Sequence, residues 1–246
     1  MKSKYELNLA HLYGDLMNTY GDYGNVLILK YYGRKMGVKV NAQVVSLDED
    51  FKADDYDIAV FGGGQDFEQG IVSKDLQKKK TELTKFINQG KPSINICGGF
   101  QMLGKYYIEA DGTKLPGINA LPHYTRPQKN HRFIGNIAIQ GTETNNIYYG
   151  FENHQGVTYL GKGEHPLGRV LEGHGNNGQD GTEGAIYKHT YCTYFHGPIL
   201  ARNSPIAKNM LLEALHIKYP HADLTSQKKI AVQPPIKEVN KAKTNF

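Results

Sequence analysis

The run Ile94-Asn95-Ile96-Cys97-Gly98-Gly99-Phe100-Gln101-Met102-Leu103-Gly104 constrains this chain more than any other. Residues 92–96 form a short apolar alternation, the pattern of a buried strand. Gly98-Gly99 breaks it at once, and Phe100-Gln101-Met102-Leu103 opens a helical pattern. A strand that turns this sharply into a helix is the elbow that presents a nucleophile at the rim of a sheet. At such a corner Cys97 stands clear of the sheet, and the first N–H groups of the helix point at it and favour the thiolate. The glycines that follow let a substrate carbonyl come close to the backbone. The competing reading is a buried structural cysteine at a strand end, and it is the weaker one because glycines follow directly.

The surroundings of the elbow set the fold class. Residues 5–12 alternate as a first strand, and 13–24 are a polar, Gly-rich loop. Apolar residues at helical spacing occupy 25–36, with Gly37 as a stop. Strands are expected over 38–47 and 56–61, the latter ending in Gly62-Gly63-Gly64-Gln65-Asp66. Ser73 is a candidate cap for a helix to Asn88, which Gly90 ends. The elbow strand follows, with its helix running to about Ile108. This alternation predicts an α/β fold, a mostly parallel sheet flanked by helices. Ligands bind such sheets at the carboxyl ends of the strands, so the Gly62–Asp66 loop and Cys97 should face one pocket.

The second half reads differently. A loop is expected over 116–128, strands over 132–142 and 146–160, and turns over 161–184. A strand over 185–195 should end at His196-Gly197-Pro198. Ser204-Pro205 starts a helix, with Leu211, Leu212, Leu215 and Ile217 on its apolar side. The domain is placed at 1–218, and the Lys-rich 219–246 is read as a weakly ordered tail.

Composition narrows the chemistry. Among 246 residues no run of 18 is apolar, so no membrane span is expected. The first residues carry charge without an apolar stretch behind it, unlike a signal peptide. The formal net charge of +5 includes no basic block interleaved with aromatics, which argues against nucleic-acid binding. Two cysteines, Cys97 and Cys192, do not make a disulfide scaffold, and the cytoplasm is the expected compartment. Gly-x-x-x-x-Gly-Lys-[Ser/Thr], Cys-x-x-Cys and His-Glu-x-x-His are all missing from the sequence, so neither a metal nor a cofactor is expected on this chain. What remains is acyl transfer through a thiol.

A nucleophilic cysteine needs a base. Of ten histidines, His196 ends a strand just before Gly197-Pro198 and can leave the sheet at an edge; His154 is the competitor. An oxyanion would be held by the Gly98 N–H together with a Gly63 or Gly64 N–H.

Phe61-Gly62-Gly63-Gly64-Gln65-Asp66, Cys97-Gly98-Gly99-Phe100-Gln101 and Thr193-Tyr194-Phe195-His196-Gly197-Pro198 together resemble class I glutamine amidotransferases of the cobyric-acid-synthase-like branch. Residues 12–22, Arg132-Phe133-Ile134-Gly135-Asn136 and Gly150-Phe151-Glu152-Asn153-His154 narrow the likeness to glutaminase subunits of lipid II isoglutaminyl synthases. The resemblance spans about 5–218 and implies a flavodoxin-like class I glutaminase fold. It implies that Cys97 attacks the side-chain amide of glutamine, that His196 moves the proton, and that Gly64 and Gly98 hold the oxyanion. Arg132 would grip the glutamine α-carboxylate, and Gln101 would brace the elbow or the substrate. It further implies a Mur-ligase-like (MurT-type) partner subunit that uses ATP and Mg and amidates the D-glutamate α-carboxyl of lipid II. One position departs from the pattern. Many class I members carry an acid two residues after the histidine, and here Pro198 stands there, so the orienting acid is expected from elsewhere, the partner included. Other readings of the same elbow are a glutaminase component of a cobyrinic-acid-type amidotransferase, a thiol hydrolase not using glutamine, and a regulatory subunit.

Overall fold

The computed structural model describes residues 3–128 and 132–237. The first half runs β1 (Tyr5–Leu12), α1 (Tyr23–Lys35), β2 (Val38–Val45), β3 (Ile58–Phe61), α2 (Asp66–Asn88), β4 (Ser93–Ile96) and α3 (Gly98–Leu103). Then come β5 (Tyr106–Ile108), β6 (Lys114–Pro116), β7 (Tyr124–Pro127), β8 (Phe133–Gly141), β9 (Ile147–His154) and β10 (Gly156–Tyr159). The chain closes with β11 (Gly168–Glu172), β12 (Thr182–Glu183), β13 (Ala185–Tyr187), β14 (Thr190–Thr193), β15 (Phe195–His196), α4 (Ile199–Arg202), α5 (Ser204–Lys218) and α6 (Thr225–Lys228).

The main sheet has the order β13-β14-β4-β3-β1-β2. Every neighbouring pair is parallel except β13 and β14. β3 and β4 are buried at every residue, as a parallel sheet covered on both faces requires. The two-residue period sorts the side chains. Ile58, Val60, Ile94 and Ile96 join Leu29, Leu211 and Leu215 of α1 and α5 in one core. Ala59 and Phe61 join Val72, Leu76 and Phe86 of α2 in the other. Each fully buried aliphatic or aromatic side chain of this kind contributes about 1.5–3 kcal/mol, so the helices are held by their inner stripes.

A second layer lies beyond the carboxyl edge. β12-β11-β8-β9-β15 forms an antiparallel sheet and β10-β7-β5-β6 a mixed one. β14 belongs to the main sheet, while β15, one residue on, pairs with β9, His196 lying opposite Phe151. The chain therefore carries His196 out of one sheet and fixes it on another.

Several elements differ from expectation. α2 begins at Asp66, not near Ser73. Gly70 and the polar first turns hide the helix in the sequence, but Asp66 and Glu68 complement its dipole and Val72 and Ser73 are buried. Ser73 is no cap; its hydroxyl donates to the Pro116 carbonyl at 3.0 Å. α3 stops at Leu103, and β5 follows it at Tyr106. The expected strand over 185–195 is a hairpin turned at Lys188, which has φ +53. The expected strand over 146–160 is two strands in two sheets, and the turns of 161–184 include β11 and β12. The segment from 219, read as a loose arm, lies against the body as far as 237. Leu224 is buried, Gln227 donates to the Met36 carbonyl, Gln233 N–H to the Tyr32 hydroxyl and Ile236 N–H to the Arg202 carbonyl. The rest of that arm, 238–246, lies outside the described residues.

Candidate active site

The carboxyl ends of β1, β3, β4 and β14 point the same way, and the segments that leave them converge on a cavity of about 510 Å³. Cys97, Gly64, Gln101, Arg132, His154 and His196 all line it.

Cys97 sits at the corner between β4 and α3 with φ +50 and ψ −102, a strained backbone for a residue with a Cβ. Its N–H donates to the Thr193 carbonyl at 2.9 Å, and its carbonyl accepts from Gln101 N–H at 2.9 Å, so both sides of the corner are tied. Gly99 explains why the corner can be this tight: its N–H donates to the Gly62 carbonyl, and a Cβ there would sit 2.5 Å from the Phe61 carbonyl oxygen. At Gly63 a Cβ would lie 3.3 Å from Cys97 Cβ and 3.5 Å from His196 Cε1. Thiol and imidazole therefore flank one point.

Electrostatics correct one expectation. The enclosed setting pushes the Cys97 thiol up to about 12, Asp22 adding to the rise while Arg132 and the Gly98 N–H oppose it. The helix N-terminus acts in the expected direction, but burial outweighs it, and the thiol is neutral at pH 7. His196 moves the opposite way: burial lowers it to about 4, with Arg132 contributing. Neither of its ring nitrogens makes a hydrogen bond to a described residue; the Asn153 backbone is near enough to favour the charged form without meeting bonding geometry. The resting pair is thus thiol and neutral imidazole.

The other expected residues take distinct places. The Gly63 N–H donates to Asp22 Oδ2 at 2.9 Å and is not free for a ligand; Gly64 and Gly98 remain as the candidate donors. Gln101 donates from Nε2 to the Tyr194 hydroxyl at 3.2 Å and leaves its buried Oε1 without a partner among the described residues. Arg132 is exposed at the mouth and forks onto Asn153, Nε to Oδ1 and one terminal nitrogen to the backbone carbonyl. His154 is held by its Nδ1, which donates to the Gly156 carbonyl at 2.7 Å, and by stacking on Tyr194 with ring centroids 3.6 Å apart. That bonding and its burial suit His154 to a structural place.

Two buried acids, Glu152 on β9 and Glu183 on β12, are bonded to other residues, with Glu183 Oε2 left without a partner among the described residues. Glu152 accepts from His174 Nδ1 and from the N–H groups of His174 and Gly175. Glu183 accepts from the Thr193 hydroxyl and the Tyr194 N–H. Asp22, Tyr20 and Asn153 were not singled out by sequence reasoning. Asp22 is 1% exposed, and burial raises it to about 6; only the fold brings the polar loop 13–24 over the elbow, with Thr19 N–H on the Gly63 carbonyl. Among the described residues no group of three or more His, Cys, Asp or Glu is arranged to hold a metal ion, and no helix is long and apolar enough to cross a membrane.

These burials predict a pH-dependent stability. Burial lowers His11 and His196 to about 4 and His154 to about 3. Between about pH 4 and 6.5 the unfolded chain binds these protons and the folded chain does not, so stability falls with falling pH. Asp22 and Glu183, raised by burial to about 6 and 7, act oppositely: folded, they hold protons that the unfolded chain has lost, and stability falls as pH rises. Near pH 5.5 the three histidines outweigh the two carboxyls by about one proton, on the order of 1.4 kcal/mol per pH unit. Urea unfolding at pH 7 and at pH 5.5 should show the lower stability at pH 5.5. A higher value there would mean that these histidines are protonated in the fold.

Residues 8–204 match the CobB/CobQ-like glutamine amidotransferase domain. The subunit GatD of the glutamine-hydrolysing lipid II isoglutaminyl synthase of Streptococcus pneumoniae (strain ATCC BAA-255 / R6) is 51% identical over 215 residues, covering 87% of this chain and 83% of its own length. GatD of Staphylococcus aureus (strain N315) is 42% identical over 214 residues, with coverage of 87% and 86%. A crystal structure of a glutamine amidotransferase superposes with a TM-score of 0.54 at 16% identity, over 84% of this chain and 98% of that one, and shares the fold.

Proposed function

Since the chain belongs to the CobB/CobQ-like glutamine amidotransferase family, we propose that it is the glutaminase subunit of a lipid II isoglutaminyl synthase, as its streptococcal and staphylococcal relatives are named. The observation that carries this reading is the cysteine on its strained corner facing His196 across Gly63, in a cavity with Arg132 at its mouth.

In this reading Cys97 Sγ attacks the side-chain amide carbon of glutamine while His196 takes the thiol proton. The N–H groups of Gly64 and Gly98 hold the oxyanion as it forms. The tetrahedral adduct collapses with the C–N bond breaking, and His196 returns the proton to the leaving ammonia. Water, deprotonated by the same imidazole, then cleaves the thioester and releases glutamate. Arg132 leaves Asn153 to fork onto the substrate α-carboxylate, and Gln101 braces the wall opposite. The catalytic unit is residues 1–218, with 219–246 appended to it.

The ammonia passes to a Mur-ligase-like (MurT-type) subunit, which holds ATP and Mg and activates the α-carboxyl of D-glutamate in lipid II. The chain works in the cytoplasm, and the third catalytic group, a carboxylate for His196, is supplied by that partner. The test is isotopic. With the chain, the synthetase subunit, ATP, Mg and lipid II, glutamine labelled with ¹⁵N in its side-chain amide should yield lipid II carrying the label at the D-glutamate α-amide. Amidation supported by ammonium salts but not by glutamine would sink the glutaminase assignment.

A further inference from the structure

A catalytic imidazole is normally aimed by a hydrogen bond to its second nitrogen, and His196 has no such bond to a described residue. Its ring is instead met by the ring of Tyr20, centroid to centroid 4.1 Å at an interplanar angle of 43°. Tyr20 belongs to the loop 13–24, which has no part in the steps written above. It is 36% exposed, so its position is not forced by burial in a core. Two bonds place it. Thr19 N–H donates to the Gly63 carbonyl at 3.2 Å, and Asn153 Nδ2 donates to the Tyr20 hydroxyl at 2.6 Å. Asn153 is the same residue whose Oδ1 and carbonyl receive Arg132.

We infer that Tyr20 is a positioning residue for His196, its ring covering and aiming the imidazole, and that Asn153 couples this brace to the arginine at the cavity mouth. The inference rests on the assignment of His196 as the base. Asn153 uses its amide nitrogen for Tyr20 and its amide oxygen for Arg132, so one side chain holds both partners in register. When Arg132 turns to the α-carboxylate of glutamine, the Asn153 oxygen is released while its nitrogen still holds Tyr20. The imidazole stays covered while the thiol proton is in transit, and contact with a tilted ring whose polar end is tied down leaves it little freedom to rotate.

Two readouts test this on the full chain, assayed with its synthetase subunit. The first is glutamine hydrolysis. Tyr20→Leu should lower kcat at least about tenfold with little change in KM, because Tyr20 aims the base without gripping the substrate. Tyr20→Phe keeps the ring and loses its tether, and should fall between Tyr20→Leu and wild type. Asn153→Ala should lower kcat as Tyr20→Phe does and leave KM unchanged or lower, since the bond it removes is one that Arg132 gives up on binding glutamine; adding Tyr20→Phe to it should cost nothing more in kcat. The second readout needs no turnover. Carbethoxylation of His196 by diethyl pyrocarbonate, followed by mass spectrometry, should speed up about tenfold or more in Tyr20→Leu. An unchanged carbethoxylation rate, or a rise in KM at constant kcat, overturns the inference. Wild-type chain that hydrolyses no glutamine, with His196 still uncovered by Tyr20→Leu, would overturn the glutaminase assignment and leave the covering role standing.

Discussion

Cys97→Ala should lower glutamine hydrolysis by at least about 1000-fold while leaving the fold and its stability close to wild type. The rate loss follows from the chemistry, because alanine offers no atom that can form the thioester, and what survives is the contribution of binding and the oxyanion donors. The stability expectation follows from the backbone. Position 97 holds φ +50 whatever its side chain, and alanine tolerates that region no better than cysteine does. Its backbone bonds to Thr193 and Gln101 are made by the main chain and remain. Glutamate release and urea midpoints of both proteins check the two halves of the statement. The second thiol is the internal control. Cys192 is fully buried in the sheet, and burial holds its thiol well above the usual range, so Cys192→Ala should not change the reactivity of the chain toward a glutamine-like electrophile. Loss of activity in Cys192→Ala with retention in Cys97→Ala would reverse the assignment of the nucleophile.

The second large effect is expected from the partner. In the isolated chain the proton must move from a thiol raised to about 12 to an imidazole lowered to about 4, which is uphill in both terms. A carboxylate placed against His196 favours the imidazolium, raises the histidine toward or above its ordinary value near 6.5, and so eases the transfer. The chain leaves room for that group: Pro198, not an acid, stands two residues after His196, and Glu152 and Glu183 accept bonds from other residues. Binding the partner subunit should therefore raise kcat at least about 100-fold. It should also move the acid limb of the kcat/KM profile upward in pH, from near 4 toward neutrality, because the imidazole must be free to accept a proton and its pKa has risen. Profiles recorded with and without the partner decide this. An isolated chain that turns over at the rate of the complex, with the same acid limb, would show that this chain completes its own catalytic set.

The elbow was legible because its signals are local. An apolar strand, a cysteine, two glycines and a helical pattern follow one another within eleven residues, and the strand, corner and short helix stand where that order puts them. The same holds for α1 and α5, whose apolar stripes and Gly37 or Ser204-Pro205 ends are readable at helical spacing. Legibility failed where tertiary contact overrode local preference. The first two turns of α2 contain Gly70 and few apolar residues, and they become helix because the sheet buries Val72 and Ser73. The run 146–160 looks like one strand, yet it splits at Gln155 because its two halves pair with different neighbours.

The sequence by itself determined the elbow with its candidate nucleophile, the flanking glycines, the candidate base at the end of a strand and the alternating order that makes a parallel sheet. These depend on residue type and short spacing, which the chain carries in one dimension. Only the tertiary structure decided the protonation states, because burial lifts the thiol and lowers the imidazole against the pull of the helix N-terminus. It alone excluded Gly63 as a donor, by laying Asp22 on its N–H, and retired His154, by turning its Nδ1 onto a carbonyl. It alone brought Tyr20 over His196 and joined both to Arg132 through Asn153. Those relations span up to 176 positions of chain and are set by how far a group is desolvated and what faces it, quantities that exist only once the sheets have closed over the cavity.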